Sequence, residues 1–304
     1  MGKSSHAGVA NIAIDYSGAN SGQVITDADG CYYIEANGSI TLTPVAPQNA
    51  TFLAADPASI QITSSSNNID FAVSIGMYET SWGSPDSGLV DIAAGVSDTI
   101  YSTDPYKNWI QQFNKYGALL ATWGSYGSAN GQFNCPAGIA VDSVGNVYVV
   151  DSNNNRIQKF NSNGTYLTQW GSLGSDVGEL DRPVYIAVDT ADNVYVTEMN
   201  NQRVQKFNSN GVHLTSLGSF GNADGQFNGP LGIAVDTFDN VYVVDSVNRR
   251  IQKFTDDTFL TKWDRPTSTH SQFYYPVCIT LDSLNNIYIT DNGSCFVMKF
   301  NQIQ

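Results

Sequence analysis

The residues able to do chemistry in this chain are few, and their spacing narrows what they can do. Only three histidines are present, His6, His213 and His270, and no two share a helix or strand spacing that would make a metal-ligand pair. Serine-based hydrolysis needs a histidine base beside a nucleophile, and no such arrangement is legible. The most visible acidic series is Asp142, Asp189, Asp236 and Asp282. Oxygen clusters such as Asp236, Asp239 and Asn240 open a calcium reading. The same residues fall at short hairpin corners, where Asp and Asn bond their own backbone, and this structural reading is preferred. A second series, Asp104, Asp151, Glu198, Asp245 and Asp291, is read as braces of the turn before the next strand. No metal, cofactor or catalytic residue is expected.

These series repeat because the chain does. NVYVVDSNNNRIQKFNSNG at Asn146 returns as NVYVTEMNNQRVQKFNSNG at Asn193 and NVYVVDSVNRRIQKF at Asn240, and Phe113, Phe160, Phe207, Phe254 and Phe300 lie 47, 47, 47 and 46 residues apart. Near-identical copies make a specific site only where they disagree. Two positions after the recurrent proline stand Gly138, Tyr185, Gly232 and Cys278, with Asp91 as the counterpart in the first copy. A carboxylate, a phenol and a thiol form the one chemically mixed set in this phase. The stretches that join copies place 16 residues from Trp123, Trp170, Leu217 or Trp263 to the following Ile, but only 10 from Trp82 to Ile92. They carry Tyr126, Phe220 and Phe273-Tyr274-Tyr275 as recognition surface. The expected ligand-binding residues are therefore Asp91, Tyr185, Cys278, Tyr126, Phe220 and Tyr274. Phe133 and Phe227 are expected to be plugs between copies.

The elements that must position these residues are strands. Each copy holds four short runs rich in Val, Ile, Tyr and Phe, bounded by Asn, Asp and Gly, as in GIAVD, NVYVVD, RIQKF and TYLTQW of the second copy. Asn163-Gly164 and Asn210-Gly211 suit tight turns between the third and fourth runs. Each copy reads as a four-stranded antiparallel meander, and such sheets stack radially into a β-propeller. The fold class is all-β: a small β-sandwich over residues 1–75, then a propeller over 76–304. Five blades are expected, closed by residues 78–83 pairing with the last blade; the alternative is a six-bladed ring with one degenerate blade. Successive strands alternate direction, so the loops leaving the fourth and second strands share one face of the disk.

The pattern GQFNCPAGIAVDSVGNVYVVDSNNNRIQKF, returning as GQFNGPLGIAVD and NVYVVDSVNRRIQKF, resembles NHL repeats. The resemblance implies a propeller; it leaves function open, because NHL propellers include extracellular sensor and adhesive modules, RNA-binding domains and a few lyases. An NHL-type amidating lyase holds zinc through histidines near the channel, which the three histidines here do not match. Gluconolactonase-type propellers use carboxylates and an Asn around a divalent cation, where the first strands here offer mainly Gly, Ile, Ala and Val. The first 75 residues, with a Thr26-to-Tyr32 turn, resemble the Ig-like carboxypeptidase-regulatory or Cna-B-type modules of surface proteins. Lys3 is the lone lysine there, so no isopeptide crosslink is expected.

Net charge is −14, from 14 Lys and Arg against 28 Asp and Glu, and such a surface repels phosphate backbones. Nucleic acid is not an expected partner. Cys31, Cys135, Cys278 and Cys295 are read as free thiols, since Cys278 and Cys295 would lie on strands about two spacings of ~4.8 Å apart. No apolar run approaches the roughly 20 residues that span a bilayer. Sequons at Asn37, Asn49, Asn163 and Asn292 permit glycosylation. Low lysine content and the surface-type module lead to an extracellular or cell-surface address, the leader being absent from this chain. The expected role is noncatalytic recognition or scaffolding of a protein or glycan partner; the alternative is a hydrolase or lyase acting at the channel mouth.

Overall fold

The structure is a computed structural model that describes residues 90–263, 273–282, 284–293 and 296–300, together with the backbone of four strands nearer the start. The chain divides into two compact units, Met1–Glu79 and Thr80–Gln304. In the first, Ala13–Gly18, Gly22–Ile25, Ile40–Val45 and Ile60–Ile62 form one four-stranded antiparallel sheet. The packing partner that would make this sheet a sandwich, and the strand expected over residues 78–83, lie outside the described residues.

The second unit is a five-blade propeller. Blade 1 comprises Asp91–Ala94, Thr99–Asp104, Trp109–Asn114 and Leu119–Trp123. Blade 2 runs through Pro136–Val141, Val147–Asp151, Arg156–Phe160 and Tyr166–Trp170. Blade 3 holds Pro183–Val188, Val194–Glu198, Arg203–Phe207 and His213–Leu217, and blade 4 holds Pro230–Val235, Val241–Asp245, Arg250–Thr255 and Thr258–Trp263. Blade 5 shows Pro276–Leu281, Ile287–Asp291 and Phe296–Phe300. Every sheet is an antiparallel meander in chain order, and each inner strand packs against the next.

Burial explains the composition. The second strands, such as VYVVD, are covered on both faces by neighbouring blades and so are apolar without alternation. The core consists of the inter-blade layers: Tyr101 and Ile110 of blade 1 meet Ile139, Val147, Val149 and Phe160 of blade 2, and the pattern recurs around the arc. Phe133, Leu180, Phe227 and Phe273 are wholly buried, which confirms the plug reading of Phe133 and Phe227. Phe133 and Phe227 lie 5.7 Å, centroid to centroid, from Phe160 and Phe254.

Both acidic series are structural, and the second does more than brace a turn. Asp142 accepts from the Val144 and Asn146 backbones, the Asn146 amide and the Tyr148 hydroxyl, and Asp189, Asp236 and Asp282 repeat this set. Asp151 sits at the centre of a clamp that spans a blade and its arriving loop. It accepts from Arg156 Nε at 2.7 Å and from the Asn134 N–H at 2.8 Å, while Arg156 donates onward to the carbonyls of Ser128, Ala129 and Gln132. Gln158 completes it, donating to the Gln132 carbonyl and accepting from the Gly131 N–H. Glu198–Arg203–Gln205 and Asp245–Arg250–Gln252 repeat the clamp. On the opposite face, two hairpins are clasped by their neighbours: Asp192 accepts from the Ser143 N–H and hydroxyl, and Asp239 does the same for Thr190.

Arg156→Ala leaves Asp151 charged and buried, a situation that costs about 3–5 kcal/mol. Urea unfolding of the variant should show a loss in that range, whereas a loss below 1 kcal/mol would mean that the clamp is not under load.

Candidate functional site

The axis of the propeller brings together three of the sequence-predicted residues. The inner strands of blades 2 to 5 each slip register by one residue just after their proline, and this bulge turns the following side chain toward the axis. Tyr185 Oη and Cys278 Sγ lie 2.9 Å apart, joining blade 3 to blade 5 past the inner strand of blade 4. Asp91 Oδ2 accepts from the Ile139 N–H at 2.9 Å, joining blade 1 to blade 2. The charge of Asp91 is also felt by both the phenol and the thiol.

The two remaining positions are glycines by necessity. A Cβ on Gly138 would stand 2.8 Å from the Val184 carbonyl oxygen, and one on Gly232 would stand 2.6 Å from that of Val277. Both clashes are with the backbone of the next inner strand, and functional groups and glycines alternate from blade 1 to blade 5. A second set keeps the same rhythm. Thr103, Thr197 and Thr290 occur in the blades with Asp91, Tyr185 and Cys278, and Val150 and Val244 occur in the glycine blades. Thr197 Oγ1 accepts from the Tyr185 N–H and donates to its carbonyl, Thr290 Oγ1 accepts from the Cys278 N–H, and Thr103 Oγ1 donates to the Ala137 carbonyl. Aligning the second strands would have revealed these threonines.

Burial pushes the Asp91 carboxyl up to about 6, against the N–H groups of Ile139 and Ile92 that favour its ionised form. Burial likewise raises the Cys278 thiol and, with the Cys278 contact, the Tyr185 phenol. At neutral pH the site therefore presents a carboxylate beside a protonated thiol and phenol. A protonated thiol is a weak nucleophile, and His213 lies on an outer strand, bonded to Ser216. The geometry suits hydrogen bonding better than bond cleavage. Cys135 and Cys278 are free thiols, and no cluster of metal-binding side chains occurs among the described residues.

The other three predicted residues lie on the loops of one face. Asn154 donates to the Gly127 carbonyl, and Asn201 and Asn248 do the same for Gly174 and Gly221, so the second-to-third and fourth-to-first loops do share that face. Tyr126 and Phe220 are 71% and 70% exposed, each fixed by a parallel bridge to the plug Phe133 or Phe227. Leu173, at 67%, is their counterpart between blades 2 and 3 and was missed because it is not aromatic. Tyr274 and Tyr275 are exposed on the loop into blade 5. These side chains form a rim of apolar anchors rather than a single pocket with the axial trio.

The fold is that of a five-blade β-propeller, and part of its sequence carries NHL repeats. The sequence profile of the NHL repeat matches residues 133–160 and 227–254, two of the five copies. The propeller resembles a catalytically inactive virginiamycin B lyase from Staphylococcus aureus solved with quinupristin, at 14% identity and a TM-score of 0.53 over 96% of this chain and 85% of that one. A chain of the nidogen/laminin complex aligns at 17% identity and a TM-score of 0.57, over 95% of this chain and 89% of that one. A protein of unknown function from Bacteroides caccae aligns at 10% identity and 0.53, over 92% and 83%. At these identities the likeness is one of fold. No curated protein matches the chain significantly in sequence.

Because the folded-state pKa of Asp91 is raised, its contribution to stability is complete below its ordinary value of 3.8 and is lost as pH rises through about 6. Asp91→Asn keeps an acceptor for Ile139 and removes the titration. Thermal melts should show the variant gaining on the parent between about pH 4 and pH 7; a pH-independent difference would show that the carboxyl does not titrate in a buried setting.

Proposed function

We propose that this protein is a noncatalytic recognition or scaffold protein whose propeller binds a protein partner through the loop-bearing face. The observation that carries the reading is the rim of Tyr126, Leu173 and Phe220, three large side chains held outward at equivalent positions while their bridge partners are buried. Exposed apolar anchors on a rigid frame are the usual energetic centre of an interface. The axial trio lies on the same face and supplies a carboxylate, a phenol and a thiol as polar specificity groups. The likeness to a chain of the nidogen/laminin complex supports a protein ligand; a glycan would use the same aromatic surface. An extracellular or cell-surface address, with residues 1–75 as a carboxypeptidase-regulatory-like spacer, fits this role and the acidic composition. Residues 78–83 are the proposed fourth strand of blade 5.

A second reading rests on Asp91. A carboxyl with a pKa of about 6 beside a phenol is placed for acid–base work near neutrality. The likeness to virginiamycin B lyase supports a lyase or hydrolase acting at the same axial site.

The two readings separate in one comparison. Full-length protein on peptide and glycan arrays should yield ligands that a Tyr126→Ser, Phe220→Ser, Tyr274→Ser variant loses by tenfold or more in affinity, with unchanged melting. Turnover of a cyclic depsipeptide or lactone that is abolished by Asp91→Asn, without array binding, would reverse the ranking.

A further inference from the structure

The axial carboxylate differs from the other acids packed between the blades. In blades 2 to 4, Asp151, Glu198 and Asp245 each pair with an arginine at 2.6–2.7 Å, and Asp142, Asp189 and Asp236 each have a lysine ammonium at 3.6–4.0 Å. Asp91 has no such cation among the described residues. It is also the one charged residue on the five inner strands, DIAA, PAGIAV, PVYIAV, PLGIAV and PVCITL. The Ile139 N–H holds its Oδ2, and no side chain among the described residues donates to Oδ1.

The group can be reached, because Asp91, Tyr185 and Cys278 are half-buried rather than sealed. They bring three acceptor atoms to the axis from blades 1, 3 and 5: Asp91 Oδ1, Tyr185 Oη and Cys278 Sγ. A carboxylate that folding has already stripped of part of its water attracts a cation more strongly than one in bulk water, and less water remains to be displaced. Anions are repelled by the same charge. Among cations, a guanidinium seeks both oxygens of a carboxylate in one plane, and here the Ile139 backbone already engages one of them. A primary ammonium is a compact charge with three N–H donors, which suits three separate acceptors.

We infer that the axial mouth takes the primary ammonium group of the protein partner, offered as a lysine side chain or as a chain N-terminus. Asp91 Oδ1 supplies the counter-charge, and Tyr185 Oη and Cys278 Sγ accept the remaining N–H groups while keeping their own hydrogens. The inference rests on the protein-binding reading above and adds what the partner must present: the rim sets where the partner sits, and the axis sets which group it brings.

The test titrates the full chain calorimetrically with four probes: Nα-acetyl-lysine methylamide, glycine methylamide, Nα-acetyl-arginine methylamide and Nα-acetyl-norleucine methylamide. Saturable one-site binding of the lysine or the glycine probe is expected, with weaker binding of the arginine probe and none of norleucine; the tighter of the first two identifies the source of the ammonium. Asp91→Asn should weaken binding about tenfold or more and Tyr185→Phe about threefold, each variant keeping the far-UV spectrum of the parent. The Tyr126→Ser, Phe220→Ser, Tyr274→Ser variant should bind the probe as the parent does. Absence of saturable binding, equal binding of norleucine, or binding untouched by Asp91→Asn overturns the inference. So does binding that appears only in an Arg265→Ala chain, because the chain's own guanidinium would then be the occupant. Array ligands that need the rim but no ammonium sink this inference and spare the protein-binding reading, whereas ammonium binding with no array ligand does the reverse.

Discussion

The clamp of an acid, an arginine and a glutamine is the interaction on which this propeller depends. A stack of sheets held only by apolar layers is free to slide, because Val against Ile is nearly indifferent to a shift of a few ångströms. The clamp removes that freedom. Arg156 cannot leave Asp151 without exposing a buried carboxylate, and its other nitrogens cannot release three carbonyls without leaving them dry. The loop so held carries the buried plug Phe133 and leads into Pro136, where the inner strand begins. The position of the axial side chains thus follows from a charge pair at the same end of the blade, where Asp151 is paired with Pro136.

Where the clamp is altered, the molecule changes character. Blade 1 has Trp109 in place of the arginine, and blade 5 has Phe296. Identical packing in blades 2 to 4 makes a frame, and the departures at its two ends and around its axis are where specific binding can arise.

Much of this was legible in the sequence because repetition converts spacing into geometry. A 47-residue period with four apolar runs leaves little choice of fold, and the disagreement among Asp91, Gly138, Tyr185, Gly232 and Cys278 marks the axis. The meeting of Tyr185 with Cys278 was not legible. It depends on a bulge and on how closely inner strands approach, which spacing does not encode. The clamp was half visible: the acidic series stood out, but it was read as bracing a turn, because the loop groups that Asp151 and Arg156 hold lie 17 to 28 residues away in the preceding joint.

The clasp on the opposite face has a bearing on how such a chain can change over generations. Ser143 depends on Asp192, and Thr190 on Asp239, so these two joints are made of halves contributed by successive repeats. Duplicating or excising one whole period rejoins a donor to an acceptor of the same kind, while a break inside a period strands both. Selection on this molecule would therefore register gains and losses in steps of one period, and the ring size would drift by integers while point changes accumulate at the axis and the rim.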